Sequence, residues 1–140
     1  MSKFSNPSKE DIIRLLQQVR RIAVVGLSPK LSRPSHQVAA ALQGYGYTIV
    51  PVRPALEQVL GEMAYPDLAS FPGQIDLVDV FRAPEHVGPI VDACIELQIP
   101  ALWLQDGVVN EEAALRAQAH GIKVVMDRCI YRDYRQFIGD

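Results

Sequence analysis

Residues 22–46 read IAVVGLSPKLSRPSHQVAAALQGYG, and this stretch decides the fold. Its first five residues, Ile22-Ala23-Val24-Val25-Gly26, form a short continuous apolar run ending in glycine, the pattern of a strand buried on both faces. A polar loop follows, from Leu27 through Ser28, Pro29, Lys30, Leu31, Ser32 and Arg33. Val38, Ala41, Leu42 and Tyr45 then recur at helical spacing, and Gly46 closes the segment, so a helix is expected over 34–45. Free backbone N–H groups and the positive dipole end converge where such a helix begins, which suits a phosphate. Lys30 and Arg33 add charge beside that point. Ser28 and Ser35 are able to donate to a phosphate or to serve as turn and cap residues, with Ser32 or Ser35 as the cap. His36 falls in the first turn, where a partly exposed histidine without a task is expected.

Working outward, Ser8 starts a first helix with Asp11 in the capping-box position and Ile12, Leu15, Leu16 and Val19 as its apolar stripe. A second strand is expected over 47–52, with Pro51 marking its end. Residues 54–74 are less regular, with a short helix over 67–71. A third strand follows over 76–81, then a helix opened by Pro84. Ala101-Leu102-Trp103-Leu104 is a fourth strand, with Trp103 as core. Asn110 caps a helix carrying Glu111 and Glu112 in its first turn, a fifth strand covers 122–126, and an amphipathic segment over 130–138 closes the chain. Strands and helices alternate five times, which predicts a doubly wound, five-stranded parallel sheet with helices on both faces, in one domain spanning 1–140. Ligands in such sheets bind beyond the carboxyl ends of the strands, where the strand order switches.

Composition bounds the function. The chain has 140 residues, 49% of them hydrophobic and 21% charged, enough for one globular domain with its own core. A net charge of −2 argues against generic nucleic-acid binding. The first eleven residues are polar, no run is long enough to cross a membrane, and Cys94 and Cys129 lack metal-ligand spacing. A cytoplasmic protein with reduced thiols and no metal is the expectation.

Gly26 begins something like a dinucleotide fingerprint, but Ser28 and Leu31 stand where further glycines belong. An NAD site usually carries an acid at the end of its second strand; here the residue is Arg53, suited to a phosphorylated ribose such as that of NADP or coenzyme A. Val52 and Pro54 flank it. Arg82 emerges at the end of the third strand beside Phe81, for ligand contact or for an ion pair with Asp79 or Asp106. Of Asp76 and Asp79, at least one is expected at a sheet edge or beside a cation. Gln105, Asp106 and Gly107 form the turn after the fourth strand. No nucleophile with a base, nucleophile elbow or Walker loop is present.

These segments together resemble a known family. Gly26-Leu27-Ser28-Pro29-Lys30, Arg33-Pro34-Ser35, Asp79-Val80-Phe81-Arg82, Leu102-Trp103-Leu104-Gln105 with Gly107-Val108, Asn110-Glu111-Glu112-Ala113 and Val125-Met126-Asp127-Arg128-Cys129 resemble the small CoA-binding proteins (YccU-like), over residues 19–131. That family is similar to the N-terminal CoA-binding domain of the succinyl-CoA synthetase alpha subunit, a Rossmann-like fold. The resemblance implies that residues 26–35 take the CoA phosphates and that residues 52–54 receive the adenosine end. It also implies that Phe81-Arg82 and Gln105 to Gly107 flank the pantetheine arm. Where the family commonly has Asn, this chain has Arg53, whose charge favours the 3′-phosphate. The synthetase's phosphohistidine lies in a domain absent from these 140 residues. The function expected is a stand-alone, non-catalytic module binding CoA or acyl-CoA. The alternatives are a small NADP- or other nucleotide-dependent enzyme, and an interaction protein with a vestigial cleft.

Overall fold

The structure, a computed structural model, describes residues 3–139. Met1 and Ser2 of the polar N-terminal stretch, and Asp140, lie outside the described residues. Five parallel strands form the main sheet: β1 (Arg21–Val25), β2 (Thr48–Val52), β5 (Leu77–Val80), β6 (Ala101–Leu104) and β7 (Lys123–Met126), in the order β2-β1-β5-β6-β7. The chain runs from β1 outward to β2, then returns past β1 to β5. The strand order therefore switches between β1 and β5, and a cleft opens above their carboxyl ends.

Five helices cover the sheet: α1 (Lys9–Gln18), α2 (Pro34–Gly44), α3 (Val87–Glu96), α4 (Glu111–Ala119) and α5 (Ile130–Phe137). Successive strand residues point to opposite faces, so each apolar run feeds two cores. Val25, Val52, Val80 and Leu104 pack with Val91, Cys94 and Ala114 of α3 and α4. Ile22, Val24, Leu77 and Trp103 pack with Leu16, Leu42 and Ile130 of α1, α2 and α5. Trp103 is fully buried and its indole N–H donates to the Arg128 carbonyl at 2.8 Å. Burial of its roughly 200 Å² contributes about 5 kcal/mol of transfer free energy. Burial pushes the Cys94 thiol up to about 12, and the Tyr47 hydroxyl, which donates to the Leu16 carbonyl, also to about 12.

Several local expectations needed correction. Pro51 lies inside β2 rather than ending it. β2 is the edge strand of the main sheet, and the Pro51 carbonyl accepts from Tyr65 N–H, so no ladder bond needs the missing proline N–H. The irregular stretch after β2 holds a small antiparallel hairpin, β3 (Gln58–Val59) with β4 (Glu62–Met63). Its turn has Leu60 and Gly61 both at positive φ. The short helix after it is a single 3₁₀ turn, Leu68–Ser70, capped by Asp67. Pro84 opens another 3₁₀ turn, Pro84–His86, and α3 starts at Val87. The two acids expected in the third strand sit differently, Asp76 just before β5 at the sheet's margin and Asp79 within the strand. Asp76 accepts from the backbone N–H groups of Arg20 and Arg21, and Asp79 is fully buried in the central strand with both carboxyl oxygens lacking a hydrogen-bond partner.

Candidate functional site

Gly26 sits where β1 turns into the loop, at φ +88°. Its N–H donates to the Val52 carbonyl, and the Phe81 N–H donates to the Val25 carbonyl, both at 2.9 Å, so β1, β2 and β5 are tied together at their ends. A Cβ at Gly26 would stand 2.4 Å from the Phe81 carbonyl oxygen. Only glycine permits this close approach of two backbones.

The loop after Gly26 is braced from within. Ser28 N–H donates to Ser35 Oγ at 2.9 Å, Lys30 N–H donates to Ser28 Oγ at 3.1 Å, and the His36 ring Nδ1 lies 3.0 Å from the Ser28 carbonyl oxygen. His36 is buried rather than partly exposed, because its ring holds the loop against α2. Neither Ser32 nor Ser35 caps α2. The cap position is Arg33, which makes no side-chain cap bond, and Pro34 follows in the first turn. The start of α2 is thus left without a side-chain acceptor, facing the cleft with its positive dipole end.

Two cavities meet over this point. The larger, about 700 Å³, is bounded by Ser28, Pro29, Lys30, Arg33, Pro34 and Ser35 on one side, and by Gln105, Asp106, Val108 and Cys129 on the other. The smaller, about 620 Å³, lies between the end of β2 (Val52, Pro54, with Pro66 and Leu68) and α3 (Pro89, Ile90 and Ala93). Gly26, Arg53, Phe81 and Arg82 line both. Lys30 and Arg33 are exposed, whereas Arg53 and Arg82 are half-buried. Arg53 donates to the Leu27 carbonyl at 3.4 Å, which directs its guanidinium toward the loop. Arg82 pairs with neither acid considered for it: Asp79 has no partner, and Asp106 is held by Arg132 through two bonds of 2.9 Å. Those bonds hold the Asp106 carboxyl below its ordinary range, so it is charged at neutral pH.

Of the residues expected at the site, Leu27 and Gly107 line neither cavity. Leu27 is fully buried and contributes its carbonyl to Arg53; the Gly107 N–H donates to the Asp127 carboxylate at 2.7 Å. Sequence reasoning missed the wall supplied by Pro66, Leu68 and α3. Ile90, a half-buried apolar residue of α3 at the rim of that wall, carried the signal. It also missed His36 as a brace, a role no local pattern encodes.

A sequence model of the family described as "CoA binding domain" matches residues 20–135. The uncharacterized protein YneT of Bacillus subtilis (strain 168) is 44% identical over 127 residues, which are 91% of this chain and 94% of that protein. A solved structure of a hypothetical protein from Pyrococcus horikoshii OT3 superposes with a TM-score of 0.92 at 32% identity, covering 99% of this chain and 100% of that one. The dinucleotide forming acetyl-coenzyme A synthetase 1 of Ca. Korarchaeum cryptofilum shares the fold, with a TM-score of 0.67 at 21% identity, over 76% of this chain and 26% of that one.

Proposed function

The chain belongs to the CoA binding domain family, and we propose that it binds coenzyme A or an acyl-CoA as a stand-alone, non-catalytic cytoplasmic module that senses, carries or regulates. Four cations support this reading: Arg53 and Arg82 line both cavities, and Lys30 and Arg33 line the larger one beside the uncapped start of α2. The diphosphate and 3′-phosphate of CoA carry about four negative charges, matching that set. The diphosphate rests on residues 26–35. The adenosine occupies the smaller cavity, with its 3′-phosphate at Arg53 and its base against Pro54 and Ile90. The pantetheine arm runs past Phe81 and Arg82 toward Gln105 and Asp106. Cations and serines already engaged in loop bonds line the phosphate end of this path, apolar groups and Asp67 line the adenosine cavity, and Gln105 and Asp106 stand at the far end. Among the described residues no helix is long and apolar enough to cross a membrane.

Thermal melting with CoA, acetyl-CoA, dephospho-CoA, NAD, NADP and ATP tests the reading. At about 100 times its dissociation constant, CoA is expected to add about 2.7 kcal/mol, a shift of about 10 °C for a chain of this size. A shift with NADP and none with CoA would transfer the Arg53 site to a 2′-phosphate and overturn the proposal. The variant Arg53→Ala sharpens the test. It is expected to weaken CoA about tenfold, through loss of a charge-assisted contact, and dephospho-CoA much less. Equal losses for the two ligands would remove the 3′-phosphate from Arg53.

A further inference from the structure

On the reading that CoA fills the two cavities, the charge distribution of the site also selects the acyl class. We propose that the site takes CoA and its uncharged acyl thioesters, and disfavours thioesters whose acyl group ends in a carboxylate, with Asp106 as the specificity-determining residue.

The cations are gathered at one end. Lys30 and Arg33 stand on the loop before α2, and Arg53 reaches the Leu27 carbonyl. The Arg82 stem lies against Gly26, with its Cδ 3.0 Å from where a Cβ on that glycine would be. All four are thus beside β1 and β2 or leaning toward them, where about four phosphate charges consume them. The other end of the larger cavity lies above β6 and β7, where Gln105, Asp106, Val108 and Cys129 supply a carboxylate and no cation.

The cation nearest to that end is already committed. Arg132 gives both terminal nitrogens to Asp106. The first amide of α5 is used as well, because Ile130 N–H donates to Gln105 Oε1 at 3.1 Å. An acetyl or butyryl group meets Val108 and the half-exposed Cys129 there. A malonyl or succinyl carboxylate arriving there finds Arg132 held by Asp106 and Arg128 held by Asp133, so no cation is free to receive it. An unpaired charge of this kind discriminates between ligands that otherwise make the same contacts.

Calorimetric titration of the full chain with CoA, acetyl-CoA, butyryl-CoA, malonyl-CoA and succinyl-CoA tests the proposal. Acetyl-CoA is expected to bind within about twofold of CoA, and malonyl-CoA about fivefold more weakly, the gap narrowing as salt is raised. In Asp106→Asn the ratio of malonyl-CoA to acetyl-CoA dissociation constants is expected to fall toward one, because Arg132 is released to receive the second carboxylate. A merely structural role for Asp106 would weaken every thioester alike and leave that ratio unchanged, which removes the residue from the proposal. Equal binding of malonyl-CoA and acetyl-CoA by the unaltered chain overturns the inference while CoA binding stands. Failure of CoA itself to bind overturns the reading beneath it.

Discussion

Gly26→Ala is expected to destabilise the chain by about 3 kcal/mol, lowering its melting temperature by about 10 °C, and to abolish CoA binding. Two costs combine. At φ +88° an alanine pays about 1 kcal/mol of backbone strain. The new Cβ would also lie 2.4 Å from the Phe81 carbonyl oxygen, so β1 and β5 must part at the floor of the cleft. Neither strand end is free to move, since Gly26 N–H is held by Val52 and Phe81 N–H by Val25. Gly46 is the control. Its φ is +105° but a Cβ there meets nothing within 4 Å, so Gly46→Ala should show the backbone cost alone. Melting curves of the two variants, side by side, read out the difference. Equal losses would mean that the approach of β1 to β5 constrains nothing.

Asp79 is expected to make the stability of this protein fall as pH rises, and Asp79→Asn to remove that dependence. The carboxyl is fully buried in β5, level with Val24 of β1 and Trp103 of β6, and its burial raises its pKa well above the ordinary value. The unfolded chain releases this proton near pH 3.9, whereas the folded chain keeps it. Folding therefore takes up a proton. The stability associated with that proton is complete below the unfolded pKa and is lost, at about 1.4 kcal/mol per pH unit, as pH rises toward the folded pKa. Asparagine has no proton to lose, so the variant should gain on the parent as pH rises from 4 toward the folded pKa. Cys94 and Tyr47, both pushed up to about 12, stay neutral through that window and do not contribute.

A second substitution separates the proton from the unpaired polar atoms. Asp79→Leu removes both, and should add about 1–3 kcal/mol that Asp79→Asn does not recover. Denaturant unfolding of all three chains at pH 4, 6 and 8 measures this. A gap between parent and Asp79→Asn that does not change with pH would refute the linkage.

Much of the fold was legible along the chain because its causes are local. The apolar runs at 22–25 and 101–104 have no polar position, which only a strand buried on both faces tolerates. Asn110 accepts from Ala113 N–H and Ser8 from Asp11 N–H, cap geometries set by residues three apart. The hairpin at 58–63 was not legible: its turn places Leu60, a residue that disfavours positive φ, in the left-handed region, and Leu60 packs into the core beside Val59.

For the site, the sequence by itself determined the loop after β1, the cations at Lys30, Arg33, Arg53 and Arg82, and the glycine at the hinge, since each is a matter of residue type and of position relative to a strand end. Only the tertiary structure decided which partners those groups have. Asp106 turned to Arg132, twenty-six residues away, leaving Arg82 beside Gly26. His36 turned inward to Ser28, and Asp79 was left without a partner in the middle of the sheet. The physical reason is that a side chain's charge and propensity are carried by the residue itself. Its burial and its choice of partner depend on distances between segments far apart in the chain, which exist only once the strands have been ordered β2-β1-β5-β6-β7.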